Sequence, residues 1–104
     1  MQQFDICSLR PTTRGRERTD LVVILQANLN SDLDTRVVAP LMDESALPAI
    51  GRLRPKIEFD GKSYRLISDR MSVLAVKSIG PRVGSCAGSD YEIRRSLDIV
   101  FLGV

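Results

Sequence analysis

The sequence contains no histidine among its 104 residues. Histidine is the commonest metal ligand in proteins and the side chain most often used as a general base near neutral pH. Its absence excludes Ser-His and Cys-His mechanisms, so an enzyme with this sequence would have to use carboxylates, Lys, Arg or Tyr. No spacing of such residues singles out an acid/base pair. We therefore predict no catalytic residue, no metal ligand and no cofactor.

Cysteine is also scarce, and a secretory leader and long apolar runs are missing. Cys7 and Cys86 form neither a CxxC motif nor a disulfide framework, and we predict that both are small buried residues. The first residues show no basic segment followed by an apolar one. No run of apolar residues approaches the roughly 20 needed to span a membrane. We expect a cytoplasmic protein that does not bind membranes.

Aromatic residues make up only 5% of the chain and tryptophan is absent, whereas 43% of the residues are hydrophobic. This composition predicts one domain, residues 1–104, with an aliphatic core. The net charge of +2 is too small to indicate nucleic-acid binding by itself. Three arginines in the loop after the first strand are most simply a solvated loop, and contact with RNA or a protein partner is the alternative: Arg14, Arg16 and Arg18.

Short apolar segments separated by turn residues predict a mainly β fold of five or more strands. Pro40 is expected to end one strand, and Gly80-Pro81 another. One turn of helix is considered between Asp43 and Pro48. The predicted strands outside the hairpin described next are Phe4–Leu9, Leu21–Leu25, Thr35–Ala39 and Ser72–Ile79, of which Leu21–Leu25 reads as buried on both faces.

The clearest local signal is Asp60-Gly61, which lies between two alternating segments. A two-residue Asp-Gly loop favours a type I′ turn because both residues need positive φ. Counting from that turn pairs Phe59 with Lys62 and Ile57 with Tyr64. A half-buried β-hairpin is therefore predicted.

The period changes after the small, Gly-rich stretch 84–88. Ser89 is a candidate N-cap and Glu92 its capping-box partner. Apolar residues then recur at helical spacing up to the last residues, where soluble domains usually have a polar tail. One C-terminal helix is predicted, with Ile93 and Leu97 towards the core. In the simpler alternative Phe101 also plugs the core of its own domain.

Three patches of the sequence together resemble the CcdB family of toxins. They are the Met1-Gln2 start running into a Phe-containing strand, the stretch Leu21 to Leu41 with Gln26, and the final Phe101-Leu102-Gly103-Val104. The order and spacing of these patches match the family along nearly the whole chain. The resemblance implies a small SH3-like barrel, or a strongly curved antiparallel sheet, with one C-terminal helix, assembled as a homodimer.

The same resemblance implies a function without catalysis. Members of the family are the toxins of toxin–antitoxin systems in plasmid maintenance: they bind the DNA gyrase A subunit and trap its cleaved DNA complex. A cognate antitoxin neutralises the toxin and, together with it, binds operator DNA to repress the operon. Carried onto this sequence, the residues implied to bind gyrase are Leu29, Asn30, Asp98, Phe101, Leu102, Gly103 and Val104.

Three of these positions depart from the family pattern. Well-studied members have Trp where this chain has Leu102, an amide where it has Asp98, and an aliphatic residue where it has Asn30. Leu102 lacks the aromatic face needed for a cation–π contact, which is worth about 0.5–2 kcal/mol. The alternatives are an endoribonuclease like the related MazF toxins, which share the barrel, and a decayed toxin that binds antitoxin only.

Overall fold

The computed structural model describes residues 2–9, 20–27 and 32–103. The described part is mainly β with one C-terminal α-helix, as the sequence predicts, and it has seven strands and three short 3₁₀ helices. The strands are β1 Asp5–Leu9, β2 Leu21–Ile24, β3 Thr35–Asp43, β4 Lys56–Phe59, β5 Lys62–Leu66, β6 Ser72–Ala75 and β7 Ile79–Ser85. The helices are the 3₁₀ segments Ser68–Arg70, Val76–Ser78 and Ala87–Ser89, followed by helix α1, Asp90–Leu102.

The strands form one curled antiparallel sheet in the order β4-β5-β3-β2-β1-β7. The nine-residue strand β3 organises the sheet. One of its edges pairs with β2, while the other edge pairs first with β6, through residues 35–38, and then with β5, through residues 41–43. A strand that changes partner along one edge bends the sheet, which produces the half-barrel.

Strand β2 separates two apolar clusters, because its successive side chains point to opposite faces. Val23 lies in the larger cluster with Ile6 and Ala39, its neighbours in the paired strands. Val22 and Ile24 lie in the smaller cluster on the other face. The prediction that this segment is buried on both faces is therefore confirmed, and the larger cluster is the one that helix α1 covers through Ile93.

The predicted hairpin is confirmed in detail. Phe59 pairs with Lys62 and Ile57 with Tyr64. The turn residues Asp60 and Gly61 have φ values of 53° and 75°, as a type I′ turn requires. Ile57 is buried in the larger cluster, and the hairpin is thereby anchored to the core.

Two predicted strand ends are wrong, because tertiary structure tolerates both prolines. Strand β3 continues through Pro40. Residues 39 and 40 lie between the segments that pair with β6 and β5, and this edge of the strand therefore requires no backbone N–H from Pro40. The segment predicted as one strand, Ser72–Ile79, is divided, because β6 ends at Ala75, the 3₁₀ helix Val76–Ser78 follows and Ile79 begins β7. Strand β7 runs through Pro81 because it is an edge strand, where proline is accepted. Its register with β1 shifts at this point, with Ile79 opposite Leu9 and Arg82 opposite Cys7.

The turn of helix considered for Asp43 to Pro48 is also wrong, since turns occupy this segment. The Asp43 carboxylate accepts hydrogen bonds from the backbone N–H of Ser45, at 2.9 Å, and from its hydroxyl, at 2.7 Å. Such side-chain bonds compete with helix formation and favour a turn.

Candidate functional site

Helix α1 begins at Asp90 without the predicted capping box. The Ser89 side chain makes no capping hydrogen bond. Two acidic residues, Asp90 and Glu92, lie in the first turn, where they interact favourably with the helix dipole. Asp90 also pairs with Arg94 one turn later. The start of the helix is therefore stabilised by charge rather than by a hydroxyl cap.

The inner face of the helix is fixed by one apolar and one polar contact. Ile93 is fully buried in the core, and Leu97 packs against the same cluster. The buried hydroxyls of Ser68 and Ser96 are 2.8 Å apart, and the Ser96 hydroxyl donates to the Ile93 carbonyl at 2.7 Å. Because Ser96 has one proton, Ser68 must donate to Ser96. The prediction that Ile93 and Leu97 face the core is confirmed.

The last turn of the helix presents apolar side chains to solvent. Phe101 and Leu102 are 68% and 70% exposed, and Asp98 is exposed beside them. The alternative in which Phe101 plugs the core is therefore wrong. Gly103 ends the helix with a φ of 74°, and its N–H donates to the Ile99 carbonyl at 3.0 Å. A left-handed glycine at this position is a common helix C-cap.

We call Asp98, Phe101, Leu102 and Gly103 the helix tip. The remaining predicted gyrase-binding residues, Leu29, Asn30 and Val104, lie outside the described residues, as do Arg14, Arg16 and Arg18. Of the predicted gyrase-binding residues, the structure therefore describes only the four of the helix tip.

Sequence reasoning missed a basic pocket at the other end of the helix. Arg95 lies two residues from Ile93 and from Leu97, so helical spacing places it away from the core, but it is half-buried and its Nε is enclosed. It lines a pocket of about 440 Å³ formed by the base of the hairpin, the segment before β4 and the helix. We call this the basic pocket; its lining residues are Gly51, Arg52, Pro55, Lys56, Arg65, Tyr91, Glu92 and Arg95.

An internal ion pair supports the wall of this pocket. Nε and Nη2 of Arg54 donate to the two carboxylate oxygens of Asp69, at 3.0 and 2.9 Å, and Nη1 donates to the Pro48 carbonyl at 3.1 Å. The hydrogen bonds from Arg54 to the carboxylate lower the pKa of Asp69 below its usual value. The carbonyl of Arg54 in turn accepts a hydrogen bond from Nη1 of Arg65 at 3.1 Å. The orientation of the Arg65 guanidinium is therefore set by the fold.

The two cysteines are buried, as predicted. Burial raises the pKa of the Cys86 thiol to about 11, and it also raises the pKa of Cys7. A thiol of this kind is a poor nucleophile. Within the described ranges, no three His, Cys, Asp or Glu residues are grouped so that they could hold a metal ion. The described helices likewise include none with the length and hydropathy of a membrane span.

Comparison with known proteins identifies one family. The family model described as "CcdB protein" matches residues 3–103, nearly the entire chain. No curated protein sequence matches this chain.

Solved structures with a similar fold include two that are described as toxins and one that is described as an endoribonuclease. A Mycobacterium tuberculosis toxin, MazF-mt6, superposes with a TM-score of 0.75 at 14% identity, covering 93% of this chain and 95% of that one. An endoribonuclease in complex with its cognate antitoxin, from mycobacterial species, gives 0.76 at 13% identity and covers 100% and 96% of the two chains. A further structure, described as an Mtb toxin, gives 0.69 at 15% identity, with 79% and 92% coverage. At these identities the likeness shows a shared fold.

Proposed function

The chain belongs to the CcdB family, and from this membership we propose that it is the toxin of a toxin–antitoxin pair that poisons DNA gyrase. In this proposal a homodimer binds the gyrase A subunit and traps the cleaved DNA complex. The toxin acts by stoichiometric binding and catalyses no reaction itself. A cognate antitoxin neutralises it and, with it, represses the operon at operator DNA.

The observation that carries the proposal is the exposure of the helix tip. Phe101 and Leu102 are more than two-thirds exposed on a helix whose earlier residues are anchored in the core. Burying a side chain of this size against a partner stabilises a complex by about 1.5–3 kcal/mol. Rigid apolar anchors of this kind commonly supply most of the energy of an interface. The helix tip therefore has the chemistry and the support of a docking surface.

Removal of the end of the chain tests this role. We expect a variant lacking Leu102 to Val104 to lose toxicity in cells that carry a susceptible gyrase, and to stop generating DNA cleavage complexes with purified gyrase. The melting temperature should change little, because Leu102 is 70% exposed, the core contacts of Ile93 and Leu97 are kept, and loss of the Gly103 cap affects only the last turn of the helix. A large fall in melting temperature, or a deletion variant as toxic as the full chain, would contradict the proposal.

A point variant with a matched control sharpens the result. Leu102→Ala should weaken gyrase poisoning, whereas Val73→Ala, which truncates an apolar side chain of similar exposure on strand β6, should not. Equal effects of the two substitutions would indicate a general loss of apolar surface rather than a specific contact.

The antitoxin is the second proposed partner. An endoribonuclease of the same fold has been solved with its cognate antitoxin, which makes a protein of that class the natural partner to seek. A short acidic protein encoded immediately upstream would support the pair. Co-expression of that protein should restore growth, and failure to do so would remove it as the antitoxin.

Ribonuclease activity is the competing function, because toxins of the MazF type share the fold. Incubation of the purified protein with RNA in EDTA decides between the two. Intact RNA together with gyrase-dependent DNA cleavage supports the proposed function, and specific RNA cleavage overturns it. A chain that does neither but binds its antitoxin would be a decayed toxin.

A further inference from the structure

The basic pocket lies away from the helix tip and carries an unbalanced charge. Four cationic side chains line it, and Glu92 is the single acidic residue among its lining residues. Tyr91, at the far end of the pocket, precedes Phe101 by ten residues, about 15 Å along the helix axis, and Arg95, the lining residue nearest the helix tip, precedes it by six, about 9 Å. A ligand in the pocket would therefore leave Phe101 and Leu102 uncovered. The four cations are Arg52, Lys56, Arg65 and Arg95.

Two guanidinium groups in this pocket have unmet hydrogen bonds. The Nε atoms of Arg65 and Arg95 are buried and reach no acceptor within the described parts of the chain. A buried donor without an acceptor is destabilising, and more so when the group is charged. A ligand in the pocket would meet the outer N–H groups of these two guanidiniums, because the Nε atoms themselves are enclosed.

The chain itself shows which acceptor fits. In the neighbouring Arg54, Nε and Nη2 form a fork that holds both oxygens of the Asp69 carboxylate. Arg65 uses Nη1 to bond the Arg54 carbonyl, which leaves its Nη2 as a donor for a ligand in the pocket. A carboxylate suits a planar guanidinium, as the Arg54–Asp69 pair shows.

We propose that the basic pocket binds an acidic side chain of a peptide, with its carboxylate held by Arg65 and Arg95. A volume of about 440 Å³ accommodates more than one side chain, and Pro55 and Tyr91 supply apolar walls for a neighbouring residue. The occupant is therefore an acidic segment with interspersed apolar residues.

A nucleic-acid strand fits this pocket less well. The Nζ of Lys56 lies 3.6 Å from Oε2 of Glu44 and 3.7 Å from Oε1 of Glu58, so carboxylates flank the pocket on this side. They would repel the successive phosphates of a strand that continued past the pocket. A peptide in which acidic and uncharged residues alternate can place carboxylates inside the pocket and uncharged residues against this side of the rim.

The test measures binding of a fluorescein-labelled eight-residue peptide of alternating glutamate and leucine to the full chain by fluorescence anisotropy. We expect saturable binding that weakens at higher salt. The double variant Arg65→Gln/Arg95→Gln should weaken binding about tenfold or more, since charge-assisted contacts are lost. The same peptide with glutamine in place of glutamate should not bind.

A matched charge control and a folding control make the result decisive. Lys62→Gln/Lys77→Gln removes two exposed positive charges outside the pocket and should leave the affinity within about twofold, as expected for distant surface charges. Because Arg65 also bonds the backbone, Arg95→Gln alone is measured as well, with circular dichroism to verify folding. Equal losses in the two double variants, or tighter binding of an eight-nucleotide RNA than of the acidic peptide, would overturn the proposal. Failure here leaves gyrase poisoning by the helix tip unaffected.

Discussion

Phe4 and Cys86 are in direct contact, and each has an unusual property at the residue scale. Phe4 has a φ of 68°, which is rare for a bulky residue, and its ring is buried in the core. Its carbonyl accepts the Cys86 N–H at 2.9 Å and the thiol at 3.3 Å, while its own N–H donates to the Ile24 carbonyl at 2.6 Å. Core packing and these hydrogen bonds hold the backbone in its strained conformation.

This environment predicts an unreactive thiol. With a pKa of about 11 instead of 9.0, Cys86 carries roughly 100-fold less thiolate at pH 8. A Cys7→Ala variant, which leaves Cys86 as the single thiol of the sequence, should therefore react with Ellman's reagent at least about 100-fold more slowly when folded than in urea. Folding favours the protonated form of Cys86, so the free energy of unfolding should fall as the pH rises above 9. Rapid labelling of the native variant would contradict this account.

At the scale of elements, the sequence predicted those elements whose conformation depends on neighbouring residues alone. The Asp60-Gly61 turn and the alternation around it specify the hairpin, and helical spacing specifies α1. The path of β7 was not predictable, because Pro81 is tolerated only through an edge position and a register shift that a distant strand creates. The basic pocket was missed for the same reason: its residues come from three segments that only the fold assembles.

The attachment of helix α1 to the 3₁₀ helix Ser68–Arg70 gives an element-level prediction. Ser96→Ala removes the acceptor of the buried Ser68 hydroxyl, so we expect a loss of about 1–2 kcal/mol in the free energy of unfolding. Ser68→Ala should cost less, because Ser96 still donates to the Ile93 carbonyl. Urea titrations of both variants and of the exposed control Ser78→Ala, expected within about 0.5 kcal/mol of the unchanged protein, measure this order. A larger loss for Ser68→Ala would reverse the assigned hydrogen-bond direction.

At the scale of the whole molecule, one helix serves two regions with different chemistry. Its first half lines the basic pocket, its middle is anchored by Ile93 and Ser96, and its last turn exposes Phe101 and Leu102. A rigid helix with a buried middle keeps the two ends at a fixed separation. An acidic peptide and an apolar partner could therefore be bound together, unless the rest of one partner covers the site of the other.

The proposed homodimer determines how the exposed apolar surface is shared between the subunits and gyrase. Light scattering coupled to size exclusion should give twice the chain mass of 11.6 kDa, and the melting temperature should rise with protein concentration, since unfolding then includes dissociation. The variant lacking Leu102 to Val104 should remain dimeric if the helix tip is reserved for gyrase. A monomeric deletion variant would instead assign the exposed Leu102 to the contact between subunits. A mass of 11.6 kDa for the full chain at every concentration, with an unchanging melting temperature, would remove the dimer from the proposed function.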